Sequence, residues 1–108
     1  MNITKILIAD DHTLFREGLK QIISKQHNLQ VEYEAGSGFE VLEVLKRNKI
    51  DLIVLDISMP GMSVFELIPE IKKLAANTPI LVLSMHPEEQ YAVRLFKIGV
   101  SGYLSKEC

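Results

Sequence analysis

Three stretches of the chain are almost wholly apolar and only four or five residues long: Lys5-Ile6-Leu7-Ile8-Ala9, Leu52-Ile53-Val54-Leu55 and Ile80-Leu81-Val82-Leu83. Runs this short and this rich in β-branched residues predict strands buried on both faces, as in the centre of a parallel sheet. Val31-Glu32-Tyr33-Glu34-Ala35 instead alternates apolar and acidic side chains, which predicts an edge strand with one wet face. Val100 to Ser105 predicts a last short strand running into Lys106.

Between the strands the period lengthens to that of a helix. Leu14, Phe15, Leu19, Ile22 and Ile23 mark the inner side of a first helix, with Arg16 and Lys20 on the other face and Asp11 or Thr13 as its cap. Ser37-Gly38-Phe39-Glu40 and Ser63-Val64-Phe65-Glu66 have the capping-box spacing and open two further helices. In the second of these, Phe65, Ile68, Ile71 and Leu74 share a face, and Pro69 predicts a lost bond and a kink. His86-Pro87-Glu88-Glu89 predicts a helix start with proline in the first position, Tyr91, Leu95, Phe96 and Ile98 as its apolar side, and Gly99 at its end.

The order β-α-β-α-β-α-β-α-β predicts an α/β fold, a doubly wound five-stranded parallel sheet in the order 2-1-3-4-5 with right-handed crossovers. A fifth helix, which would cover the sheet beside the first, has no counterpart in these residues. The expectation is a single domain spanning residues 1–108, truncated at its carboxyl end, with an apolar patch left open.

Composition narrows the possibilities without choosing among them. The 108 residues suffice for one domain, and a net charge of −2 argues against direct nucleic-acid binding by this chain. No signal peptide and no run near the ~20 residues of a membrane span is present. The lone Cys108 excludes an internal disulfide and fits a reducing cytoplasm.

The candidate chemistry lies at the strand ends. Of four aspartates, Asp10, Asp11 and Asp56 fall at carboxyl ends of strands that the predicted order makes adjacent, beside Ser84 and Lys106. Open α/β sheets keep their sites on this rim. Two carboxylates ~5 Å apart repel by about 3 kcal/mol at an effective dielectric of roughly 20. A hard divalent cation removes that conflict, and oxygen ligands select Mg²⁺ over zinc. Asp56 would then be an ionised nucleophile toward phosphorus, with Lys106 stabilising phosphoryl charge, Ser84 donating a hydrogen bond and the Ser58 backbone carbonyl completing the metal sphere. His12, His27 and His86 are read as helix-start or surface residues, with His86 at the mouth of the site.

Asp10-Asp11, Asp56 with Met59-Pro60-Gly61, Ser84 and Lys106 resemble the signature of the receiver domain of two-component response regulators (the CheY-like domains). The strand order 2-1-3-4-5 is the flavodoxin-like order that this resemblance implies. Asp11 to Leu19 resembles the NarL/FixJ subfamily, whose receivers usually precede a LuxR-type helix-turn-helix domain. The resemblance implies a sensor histidine kinase as phosphodonor, Asp56 as acceptor, and Mg²⁺ on Asp10, Asp11 and Asp56. It also implies Ser84 and Tyr103 as the switch pair, homodimer formation on phosphorylation, and DNA contact only through a domain beyond this chain. Val64 departs from the glycine frequent at its position.

Three other functions fit parts of the pattern. A Mg²⁺-dependent phosphatase using an aspartyl phosphate would place a second acid two residues past the nucleophile, where this chain has Ser58. A silent interaction module would have lost an acid or Lys106. A flavin site would need a Ser/Thr-rich loop after the first strand. A switch that is not a turnover enzyme is the expectation.

Overall fold

The structure, a computed structural model, describes residues 2–85 and 87–106. The elements follow in the order β1 (Thr4–Ala9), α1 (Thr13–Ser24), β2 (Leu29–Ala35), α2 (Gly38–Arg47), β3 (Leu52–Asp56), α3 (Val64–Leu74), β4 (Ile80–Ser84), α4 (Glu89–Lys97) and β5 (Gly102–Ser105). All pairings are parallel, in the order β2-β1-β3-β4-β5. The apolar runs are the three central strands and the alternating run is an edge, as their patterns predict.

Burial explains why those runs are continuous. Leu7, Ala9, Ile53, Leu55, Ile80 and Val82 pack toward α2, α3 and α4, with Val41, Leu67, Ile68, Ile71 and Leu95. Ile6, Ile8, Val54 and Leu83 point the opposite way and meet Ile23, Phe15 and Leu19 of α1. Each fully buried Leu, Ile or Val contributes about 1.5–3 kcal/mol relative to exposure. The second face is covered by α1 alone among the described helices. A groove of about 450 Å³ runs beside it, lined by Phe15, Ile22, Val54, Leu81, Leu83 and Leu104.

Several local expectations need correction. Helix α1 is capped by neither Asp11 nor Thr13: His12 is the N-cap residue and makes no side-chain cap bond. Leu14 is 90 % exposed and Ile22 63 %, so the covered stripe of α1 is narrower than its apolar content. In α3 the buried face is Val64, Leu67, Ile68 and Ile71, a position earlier in phase than the predicted one, and Leu74 is exposed. The helix runs through Pro69 as one element, with that residue on its exposed side. Helix α4 begins at Glu89 with Glu88 as N-cap, so Pro87 precedes the helix rather than opening it, and Phe96 is half exposed. His86 and Cys108 lie outside the described residues.

Two predicted features are realised in full. Ser63 and Glu66 form a reciprocal capping box at α3. After α4, Gly99 adopts φ +104°, a conformation that lets the chain turn from Ile98 into β5.

Candidate functional site

The parallel register aligns the strand ends. Ala9 pairs with Leu55, Asp56 with Leu83, and Ser84 with Ser105. Backbone bonds continue past the strands, from Asp10 N–H to the Ala35 carbonyl, Ile57 N–H to that of Leu83, and Lys106 N–H to that of Ser84. Residues far apart in sequence are thereby held on one rim.

Asp10 and Asp56 are buried there, and Asp11 is exposed beside them. One oxygen from each of the three carboxylates and a ring nitrogen of His12 lie within 4.8 Å of one another. Lys106 Nζ stands 3.0 Å from Asp10 Oδ2 and 3.7 Å from Asp56 Oδ2, and its side chain is only 2 % exposed. It also lies over the Phe15 ring, 4.3 Å from the centroid, a cation–π contact that the spacing of apolar residues does not reveal.

Burial raises the Asp56 carboxyl above its ordinary value, and the Asp10 charge adds to the rise. The Ser58 backbone N–H, which donates to Asp56 Oδ1 at 3.3 Å, opposes it, as do Lys106 and His12. Asp10 Oδ2 and Asp56 Oδ2 are both buried without a hydrogen bond. Carboxylate oxygens in that state fit a hard divalent cation, which would relieve the repulsion that drives Asp56 toward its neutral form. Asp10, Asp11 and Asp56 are the residues that could hold it.

Ser84 is buried at the end of β4, one residue past the partner of Asp56. With Ser58, Ser63, Met85 and Tyr91 it lines an open cavity of about 320 Å³. Tyr103 is half-buried against the larger core cluster, and its hydroxyl accepts from the Glu88 N–H at 3.1 Å. It therefore joins β5 to the start of α4 rather than facing the acids.

His12 stands at the start of α1 as its reading predicts, but its ring does more than face solvent. Half of its surface is exposed, yet Nδ1 turns over the carboxylates, 3.0 Å from Asp10 Oδ1, 3.5 Å from Asp11 Oδ1 and 3.4 Å from Asp56 Oδ2. The cause is local: Asp10 Oδ1 accepts the His12 backbone N–H at 2.7 Å, which folds the chain back over the rim. Arg16 was expected on the outer face of α1. Its guanidinium instead reaches the Asp10 carbonyl at 2.7 Å and Glu34 at 2.9 Å, bracing the segment that carries the acids.

Comparison with known proteins agrees with this geometry. A family model described as the response regulator receiver domain matches residues 6–108. The chain is 36 % identical over 106 residues to the transcriptional regulatory protein DegU of Brevibacillus brevis, covering 98 % of this chain and 45 % of that protein. It is 32 % identical over 101 residues to the response regulator UvrY of Escherichia coli, covering 94 % of this chain and 46 % of that protein. The chain thus spans about half the length of the curated relatives it matches. Among solved structures, a two-component response regulator of the LuxR family from Aurantimonas superposes with a TM-score of 0.91 at 28 % identity, over 98 % of this chain and 76 % of that one. Both the rim of strand ends and the matched length lead to one assignment: the chain belongs to the response regulator receiver domain family.

Proposed function

We propose that the chain is a phospho-accepting switch in which Asp56 takes a phosphoryl group from a histidine kinase. The observation that carries this reading is the state of Asp56: a carboxylate at a strand end, 2 % exposed, with Oδ2 unbonded to any hydrogen donor and 3.7 Å from the Lys106 ammonium.

In the transfer, an Asp56 oxygen forms a bond to phosphorus as the bond from phosphorus to a kinase imidazole nitrogen breaks, and the electron pair leaves on that nitrogen. The Ser58 N–H already donates to Oδ1 and orients the carboxylate. Lys106 is positioned to pair with the phosphoryl oxygens, and Ser84 to bond them from the adjacent strand. A bound Mg²⁺ supplies neutralisation of the acids and of charge on the phosphoryl group. With Ser58 where a phosphatase would carry a second acid, the chain holds its phosphoryl group as a signal instead of turning over substrates. Movement at Ser84 is transmitted to Tyr103, whose hydroxyl bonds the start of α4, so the surface of α4 and β5 is the output face. A transcription-regulating DNA-binding domain, homodimer formation and a cytoplasmic setting complete the reading. No described helix is long and apolar enough to cross a membrane.

Intact-mass spectrometry after incubation with acetyl phosphate tests it. One hydroxylamine-labile adduct is expected, requiring both Mg²⁺ and Asp56 and missing from Asp56→Ala. A folded chain that acquires no adduct would overturn the proposal and leave a silent interaction module.

A further inference from the structure

Resting on the switch reading of this rim, we infer that His12 is a nitrogen ligand of its cation site, which therefore binds borderline transition ions such as Zn²⁺ as well as Mg²⁺. Carboxylates alone would make an oxygen site of the Mg²⁺ type. The imidazole changes the donor set.

The distances carry the argument. Around an ion with bonds of about 2.0–2.2 Å, ligand atoms stand about 3.3–3.6 Å apart in a tetrahedron and about 2.8–3.1 Å apart in an octahedron. His12 Nδ1 stands 3.0, 3.5 and 3.4 Å from an oxygen of Asp10, Asp11 and Asp56 respectively. A nitrogen at those spacings from three carboxylate oxygens matches three edges of a coordination polyhedron, and all four atoms lie within 4.8 Å of one another.

A further observation points to a cation. Asp56 Oδ2, one of the three oxygens, is buried and receives no hydrogen bond. The fourth neighbour of Nδ1 is the Lys106 ammonium at 3.2 Å. When Nδ1 carries a proton it donates to Asp10 Oδ1, and an ion held by the same atoms would take the place of that proton.

The His12 backbone N–H is tied to Asp10, so the ring is held over the acids by the turn that begins α1. Preorganisation of this kind favours a ligand role over that of a freely solvated side chain. Imidazole donors raise affinity along the series toward Zn²⁺ far more than for Mg²⁺. The consequence is a site where Zn²⁺ competes with Mg²⁺ for the same carboxylates.

The test uses the full chain with Cys108→Ser, so that the thiol does not compete for the ion. Zn²⁺ and Mg²⁺ affinities are measured by calorimetry for this protein and for the same protein carrying His12→Asn, a residue that suits an N-cap. Loss of the ring should weaken Zn²⁺ binding by about tenfold or more and Mg²⁺ binding by less than about threefold. Nitrogen-15 NMR of the histidine side chains should show the His12 Nδ1 resonance moving on addition of Zn²⁺, a readout that needs no change at residue 12. Equal losses for the two ions, or an unmoved Nδ1 signal on saturation with Zn²⁺, would overturn the inference. Acetyl phosphate labelling of the same preparation separates the two readings. A Mg²⁺-dependent adduct with an unmoved Nδ1 keeps the switch and sinks the ligand role, whereas a shifted Nδ1 without an adduct does the reverse.

Discussion

Lys106 Nζ lies 3.0 Å from Asp10 Oδ2, and both side chains are 2 % exposed. The pair joins the last described residue of the chain to the end of its first strand, and Asp56 stands within 3.7 Å of the same ammonium. One cation thus faces two buried acids. Removing it takes from both acids the ammonium they share, the situation in which a broken buried pair costs about 3–5 kcal/mol. Lys106→Met is expected to lower stability by about 3 kcal/mol in the absence of divalent ions, read from urea midpoints. Mg²⁺ should then stabilise the variant more than the parent, since it relieves a larger repulsion; equal shifts would argue that Lys106 does not share the acids with the ion.

Asp56 offers the complementary experiment. Its carboxyl is raised above the ordinary value of 3.8 by burial first and by Asp10 second. The folded chain therefore keeps its proton at pH values where the unfolded chain has lost it. Stability contributed by this group falls as pH rises from about 3.8 through the folded value, then levels. Asp56→Asn removes that decline. The variant should match the parent below pH 3.8 and exceed it above, by a margin in Tm that widens through the folded value and then levels. A difference that does not grow with pH would mean the buried charge is already compensated.

The contrast between strands and helices explains what the sequence makes legible. A strand buried on both faces, such as Leu52–Asp56, is apolar at every interior position, so neither its place nor its neighbours depend on phase. The acids and Lys106 follow from the strand order, because parallel register brings their ends to one rim. A helix is read from phase, and phase fails when apolar residues exceed the stripe that is covered. Leu14, Ile22 and Phe96 satisfy the period yet are exposed. The turn of the His12 ring over the acids and the inward reach of Arg16 escape the pattern for a different reason. Their positions depend on a side-chain turn at Asp10 and on a guanidinium reaching a backbone carbonyl, and neither leaves a periodic trace.

Neighbouring residues of α1 test this account of the helix directly. Ile23 is 8 % exposed and packs with Ile6, Ile8, Val54 and Leu83, whereas Ile22 is 63 % exposed at the groove. Ile23→Ala should cost about 2–5 kcal/mol through lost burial and a residual cavity. Ile22→Lys should stay within about 0.5 kcal/mol in thermal or urea unfolding. Comparable losses at the two positions would mean that the groove is filled in solution by another part of the molecule or by a second copy.

Tyr103 joins β5 to the start of α4, and its hydroxyl is the atom to remove. It accepts the N–H of Glu88, the N-cap residue of α4, while its ring packs on the core. Glu88 makes no side-chain cap bond of its own, and this contact adds to the Tyr91 and Ala92 N–H bonds that its carbonyl accepts at the helix start. Tyr103→Phe deletes the acceptor and leaves the apolar ring, at an expected global cost of about 0.5–1.5 kcal/mol. The local effect should exceed the global one. Amide exchange at Glu88 should quicken by about threefold to tenfold relative to amides of β4, whose bonds are unaffected. If phosphorylation at Asp56 draws the ring away from α4, the phosphorylated parent should show the same local quickening, and the variant should show no further change. Exchange at Glu88 that is equal in parent and variant would disconnect Tyr103 from the helix start and remove this route from the site to the output face.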